Sequence, residues 1–304
     1  MTLRVGTRAS FLSLRQTDWV LRHLRALDPQ LRFEVVAVRT AGDRSLRPIP
    51  QLGRTGVFTG ELERALQDGA VDVAVHSLKD LPTVSTPGLV VAAIPAREDP
   101  RDVLVGPWAS LDALPVGARV GTTSPRRKAQ LLAHRRDLQV VPLRGNVDTR
   151  LRKVASREVD AAVMAAAGLL RGGWADRIRQ YLHPEVMLPA PGQGALAVQV
   201  RERDERLREL VGQIDHPPTR AEVEAERAFL KALKGGCSLP AGALATLEAG
   251  WLRLRVRVLS ADGSRQVSAA REGGPEDAER VGREAAEEVR PFLGLVGAGP
   301  WGPD

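Results

Sequence analysis

Five short segments of this sequence place charged or nucleophilic side chains where an apolar run gives way to a loop or a helix. His76-Ser77-Leu78-Lys79-Asp80-Leu81-Pro82 follows Val71–Val75 and sets a lysine beside a carboxylate. Arg126-Arg127 open a helical pattern, and Arg144 and Arg150 bracket another helix start after Val140-Val141. Ala167-Gly168-Leu169-Leu170-Arg171 follows the next apolar run, and Gly235-Gly236-Cys237-Ser238 follows a helix. Guanidinium groups are planar forks that match carboxylate and phosphate. In open α/β sheets ligands collect outside the carboxyl ends of the strands, so strand-end cations with one acid point to an anionic ligand. Each residue also has a plainer explanation. A lone arginine is usually a surface charge, a lone cysteine a small buried apolar group, and His76 reads as holding a strand end.

The elements that must position these groups follow from periodicity. Arg4-Val5-Gly6-Thr7 recurs as Arg119-Val120-Gly121-Thr122, Val35–Arg39 in outline as Val140–Arg144, and Val71–Val75 as Val159–Val163. The matches fall in the same order, which is the signature of an internal duplication. Short apolar runs alternating with helical patterns predict parallel sheets flanked by helices, in two lobes of roughly residues 1–96 and 100–192. In each lobe the first strand ends in Gly-Thr and enters a helix. Ser124-Pro125 reads as an N-cap with proline at the first helical position, and capping alone would explain Ser124. Helix N-termini suit anions, and Arg8-Ala9-Ser10 and Ser124–Arg127 add cations there.

Gly42–Gly56, rich in Gly, Pro and Arg, reads as a mobile loop, and Asp215–Thr219 as a linker. Beyond the linker, residues 221–234 and 275–293 are helical. Leu252, Leu254, Val256 and Val258 alternate with Arg253, Arg255 and Arg257 in a half-buried antiparallel strand, and Ala261-Asp262-Gly263 turns a hairpin. The three arginines read as a solvated sheet face, and the Gly/Pro tail as frayed.

Composition narrows the class. The 304 residues carry a net charge of +7, and only five of the 44 basic residues are lysines. A basic balance suggests an anionic partner without choosing one. Aromatics at 4% are too few for a single-strand stacking platform, and neither a helix-turn-helix nor a zinc signature is present, so nucleic acid is not the expected partner. A single cysteine excludes an intrachain disulfide and a cysteine metal cluster, and no metal is expected. The start Met1–Gly6 lacks an apolar h-region, and no apolar run nears the ~20 residues of a membrane span, so a cytoplasmic chain with no membrane partner is expected.

Taken together the segments resemble the hydroxymethylbilane synthases, also called porphobilinogen deaminases, from Arg4 to about Leu244. The motifs that carry the resemblance are Gly6–Ser10 with Leu12 and Gln16, Val75–Pro82, and Gly121–Ser124 with Arg126-Arg127. Leu143–Val147 with Thr149–Leu151, Ala167–Leu169 with Arg171, Leu188–Ala190 with Gly192–Ala195, and Gly235–Cys237 complete it. Any one would be weak; all in order are specific.

The resemblance implies an α/β fold of two periplasmic-binding-protein-like (type II) lobes around a cleft, plus a small α+β domain with a three-stranded antiparallel sheet. Domain 1 is then residues 1–96 and 195–214, domain 2 is 100–192, and domain 3 is 219–304. It implies a transferase of porphyrin and heme biosynthesis that condenses four porphobilinogen units, with loss of ammonia, and releases linear hydroxymethylbilane by hydrolysis. One dipyrromethane cofactor per chain is joined by a thioether to Cys237. Lys79, Asp80, Thr122, Ser124, Arg126, Arg127 and Arg150 are placed on the cofactor, and Arg8, Ser10, Arg144, Arg150, Arg171 and Gln193 on the substrate and growing chain. Asp80 is the catalytic residue: beside Lys79 it stays ionised, and it stabilises the cationic azafulvene left when the amine departs. Three departures stand out: Thr55 replaces the family's lysine before Gly56-Val57-Phe58, with Arg54 one residue earlier, Pro125 precedes the paired arginines, and Ser238 follows the cysteine. The rival reading is a bilobal anion- or effector-binding module without turnover, needing neither Cys237 nor Asp80. Nothing demands more than a monomer.

Overall fold

The computed structural model describes residues 2–38, 59–234 and 239–295. The Gly42–Gly56 loop with Arg54 and Thr55, Gly235–Ser238 with Cys237, and the Gly/Pro tail lie outside them. The chain divides into two compact units, Met1–Glu98 with Gly194–Arg220, and Asp99–Gln193 with Ala221–Asp304.

The first unit opens with β1 (Thr2–Arg8), α1 (Phe11–Leu27), β2 (Arg32–Val38), α2 (Gly60–Gln67), β3 (Val73–Ser77) and β4 (Leu89–Ala93). The second begins with β5 (Asp102–Val105), β6 (Arg119–Gly121), α3 (Pro125–His134), β7 (Gln139–Val141), α4 (Val147–Ala155), β8 (Ala161–Ala165), α5 (Ala166–Gly172) and β9 (Ile178–Tyr181). The chain then returns to the first unit for β10 (Leu196–Arg201) and α6 (Glu205–Gly212). It ends in α7 (Pro217–Ala232), a meander of β11 (Ala241–Glu248), β12 (Trp251–Leu259) and β13 (Gln266–Gly273), and α8 (Ala278–Leu295).

The duplication is physical. One sheet has the order β2-β1-β3-β10-β4 and the other β7-β6-β8-β5-β9, so the three repeated segments are equivalent strands. With the antiparallel sheet β11-β12-β13 these are the two α/β lobes and the small third element that the resemblance implies. The shared Gly-Thr has a packing reason: a Cβ on Gly121 would lie 2.9 Å from Leu143 Cβ, and one on Gly6 2.9 Å from Leu62 Cδ2. Only glycine lets the next element approach so closely. Ser124 caps its helix as expected, Oγ accepting from the Arg127 amide at 3.4 Å, and Ser10 caps α1 in the same way, Oγ accepting from the Ser13 amide at 3.2 Å.

Three expectations are corrected. The sheets are mixed rather than parallel: β10 runs antiparallel to β3 and β4, and β5 antiparallel to β8 and β9. Both strands are buried on both faces, so their apolar runs carry no signal of direction. The Asp215–Thr219 linker is half helix. Helix α7 starts at Pro217, where a missing N–H costs nothing, and His216 Nδ1 accepts from the Thr219 amide at 3.3 Å. The arginine row of β12 is not uniformly solvated. Arg253 is, but Arg255 bonds Glu185 at 3.0 Å, and Arg257, 14% exposed, donates to the Glu185 carbonyl at 2.8 Å. Alternation tells which face turns away from α7 and α8, not whether another segment covers it.

In the first unit a buried polar chain crosses the sheet. His76 Nε2 donates to Gln199 Oε1 at 3.1 Å, and Glu63 Oε1 accepts from Gln199 Nε2 at 3.2 Å and Thr86 Oγ1 at 2.9 Å. This places His76 as a structural residue at the end of β3. Burial, only partly opposed by the Gln199 bond, lowers its pKa from 6.5 to about 4, so the ring is neutral near neutrality. A lowered folded-state pKa gives stability that is complete above 6.5 and is lost as pH falls toward about 4. The full loss is roughly 3 kcal/mol. We expect urea unfolding between pH ~7 and ~4.5 to show a smaller drop in stability for His76→Gln than for the unaltered chain. Equal drops would show that His76 does not titrate on unfolding.

Candidate functional site

Parallel strands bring the ends of different segments to one sheet edge, and this builds the site in each unit separately. In the first unit β1 and β3 are neighbours, paired Val5 with Val73 and Gly6 with Ala74. Arg8 closes β1, and a single 3-10 turn, Leu78–Asp80, follows β3. The Arg8 Nη1 to Asp80 Oδ2 distance is 4.0 Å, with the two side chains 21% and 32% exposed. The turn is pinned by its backbone: the Leu78 amide donates to the Ala195 carbonyl at 3.0 Å and the Leu81 amide to the Leu78 carbonyl at 3.1 Å. Ser77 Oγ donates to Gln16 Oε1 at 3.1 Å, tying the same strand end to α1. Lys79 is half-buried beside Asp80, and the Ser10 hydroxyl caps α1. A half-exposed carboxylate on a fixed turn, flanked by two cations, can accept N–H groups and a proton.

In the second unit β6 lies between β7 and β8, and all three point their C-terminal ends to one edge. Thr122 follows β6; its hydroxyl accepts from the Ser124 amide at 3.2 Å. Arg144 follows β7, and Arg150, in α4, donates from Nε to the Gly145 carbonyl at 2.8 Å. Arg171 stands in the last turn of α5. All three arginines are half-buried.

Arg126 and Arg127, in the first turn of α3, are buried and meet on a carboxylate that sequence reading missed. Asp102, with no solvent exposure, accepts from Arg126 Nη1 at 2.6 Å on one oxygen and from Arg127 Nε and Nη2 at 2.9 and 2.7 Å on the other. Gln193 Nε2 adds a bond to Asp102 at 3.1 Å and one to the Pro100 carbonyl at 2.8 Å. Burial alone would raise the Asp102 carboxyl, but the two guanidinium groups outweigh it and hold it at about 2. Burial pulls Arg126 below the usual arginine range, Asp102 opposes that, and neighbouring Arg127 adds to it. The available signal for Asp102 was an acid heading the apolar run Val103-Leu104-Val105.

The structure thus gathers Arg8 with Asp80, and Arg126, Arg127 and Gln193 around Asp102. Two guanidinium groups against one carboxylate leave one positive charge in excess. Arg126 Nε is buried without an acceptor among the described residues. An orphaned donor beside a surplus positive charge suits an acid side chain such as those of a dipyrromethane. Cys237, its attachment point, lies outside the described residues.

Comparison with known proteins agrees with the motifs. Residues 3–209 match the family model described as porphobilinogen deaminase, dipyromethane cofactor binding domain, and residues 220–290 the porphobilinogen deaminase C-terminal domain. Porphobilinogen deaminase of Syntrophotalea carbinolica is 47% identical, over 94% of this chain and 92% of that protein. That of Thermus thermophilus is 48% identical over 94% of both. Among solved structures, the probable amino-acid ABC transporter extracellular-binding protein ytmK of Bacillus subtilis aligns over 70% of this chain and 90% of its own, with 12% identity and a TM-score of 0.42.

Gly145, between Arg144 and the cap residue Asn146, has φ +112°, and a Cβ there would lie 2.7 Å from Thr149 Cγ2. Gly145→Ala should cost about 1–3 kcal/mol in urea unfolding. Thr149→Ser in the same chain should recover part of it by removing that methyl group. An unchanged unfolding midpoint would mean the loop relaxes without strain.

Proposed function

The chain belongs to the porphobilinogen deaminase family, and we propose that its first unit handles the charge that develops during the reaction while its second unit holds the acid side chains. The reaction is the stepwise deaminating condensation of four porphobilinogen molecules on a covalent dipyrromethane, followed by hydrolytic release of hydroxymethylbilane. The alternative of a non-catalytic binding module falls with the family assignment. Joined to Cys237, the dipyrromethane supplies the pyrrole carbon onto which the first substrate is condensed.

The buried pair Arg126–Arg127, with its surplus charge and its orphaned Nε donor, is the observation that carries the assignment. Every pyrrole ring brings two carboxylates, so a growing chain is a polyanion that only a set of cations can hold. We assign Arg126, Arg127, Lys79, Thr122, Ser124 and Arg150 to the cofactor's acid groups. Arg8, Ser10, Arg144, Arg150 and Arg171 are assigned to the substrate and the elongating chain. Gln193 serves that side through the turn it anchors, since its carboxamide is taken by Pro100 and Asp102. The Asp80 carboxylate accepts from pyrrole N–H groups and steadies the positive carbon left as the amine departs. Half exposure on a pinned turn, with Arg8 at 4.0 Å, supports this role. Ser10 and Ser124 act as helix caps as well, so their hydroxyls are oriented before any ligand arrives.

Domain 1 is assigned residues 1–96 and 195–214, domain 2 residues 100–192 and domain 3 residues 219–304; the separate apolar core around Phe229, Leu254 and Ala285 supports the third. We place the chain in the cytoplasm as a monomer. A single thiol that must stay reduced to form a thioether supports that compartment, and no described helix is long and apolar enough to cross a membrane.

Intact-mass measurement tests the assignment. The purified chain should be heavier than its sequence by two linked pyrrole units, and Cys237→Ala should lack that mass. Asp80→Asn should keep the added mass while turnover falls by at least about a hundredfold. A chain that never acquires pyrrole mass, even after incubation with porphobilinogen, would overturn the reading.

A further inference from the structure

We propose that Asp102 is a positioning residue for the cofactor's acid side chains: it fixes Arg126 and Arg127 side by side and leaves their cluster one positive charge to be met by a bound carboxylate. The inference rests on the functional reading above and concerns how the paired arginines are made ready. An arginine side chain is long and flexible, and a binding site gains when that freedom is removed before the ligand arrives. Asp102 does this from a rigid base. It heads β5, pairs with Ala165 of β8, and its carbonyl accepts from the Leu182 amide at 2.8 Å. Its two oxygens take three guanidinium N–H groups and one amide N–H.

A brace lies behind it. Arg126 Nη1 also donates to the Leu188 carbonyl at 2.7 Å, and Gln130 grips Leu188 on both its amide and carbonyl, at 2.8 and 3.0 Å. Buried Glu226 accepts from the Gly192 amide at 2.6 Å and the Ala245 amide at 2.9 Å, which holds the turn that carries Gln193. Helix α7, which carries Glu226, ends at Ala232. Asp102 itself has every oxygen engaged and no exposure, so it acts through the arginines rather than on a ligand.

The decisive comparison separates geometry from charge. Asp102→Asn raises the cluster from one excess positive charge to two, so attraction alone would speed capture of an anionic cofactor. Asp102→Glu keeps the charge and shifts the carboxylate by one methylene. Each full-length variant is prepared without cofactor, its thermal transition is recorded, and the two-pyrrole mass is followed during incubation with porphobilinogen. We expect folded proteins in which that mass appears about tenfold more slowly or worse. In the loaded fraction kcat should fall while KM stays within about twofold, because different arginines are assigned to the incoming substrate. Incorporation at the unaltered rate in either folded variant overturns the proposal. So does failure of both variants to fold, which would make Asp102 a residue of the fold alone. Absence of pyrrole mass in the unaltered chain would instead sink the functional reading beneath it.

Discussion

Charge taken fully out of water must find a partner, and in this protein that requirement is concentrated at Asp102. An isolated buried carboxylate would be protonated; four donors keep this one ionised at about 2. Its needs are met by pieces far apart in sequence, the first turn of α3 and the Gln193 turn, while the Leu188 carbonyl is a second acceptor for Arg126. Removing one partner of a buried ion cluster costs more than forming it gained, so each of these pieces helps hold the others in place.

The antiparallel strands make this meeting possible. A parallel β5 would begin at the far edge of its sheet, away from the ends of β6 and β8. Running antiparallel, it starts where they finish, with Asp102 opposite Ala165. The first unit repeats the device: β10 starts opposite the end of β3, with Leu196 paired to Ser77, and the preceding Ala195 carbonyl pins the turn that carries Asp80. Strand direction thus delivers extra groups to the edge where ligands gather in α/β sheets.

The two lobes use one plan for opposite electrostatic ends. In the second, the acid is buried and the cations carry the surplus; in the first, Asp80 stays half exposed with Arg8 at the edge of ion-pair range. The Asp102 oxygens are taken by close guanidinium bonds, whereas the Arg8–Asp80 distance of 4.0 Å lies at the limit of an ion pair.

By itself the sequence determined the elements, the duplication and the motif positions. Gly6 and Gly121 mark close approaches, Ser10 and Ser124 begin helices, and Leu252 to Val258 alternate, all through local spacing that survives without neighbours. The tertiary structure alone decided strand direction, the cover over Arg257, and the partner of Arg126 and Arg127. Asp102 lies 24 residues from Arg126 and 91 from Gln193, and no local pattern records a contact across such separations. Periodicity reports which way a side chain points from its own backbone; only packing decides what it meets there.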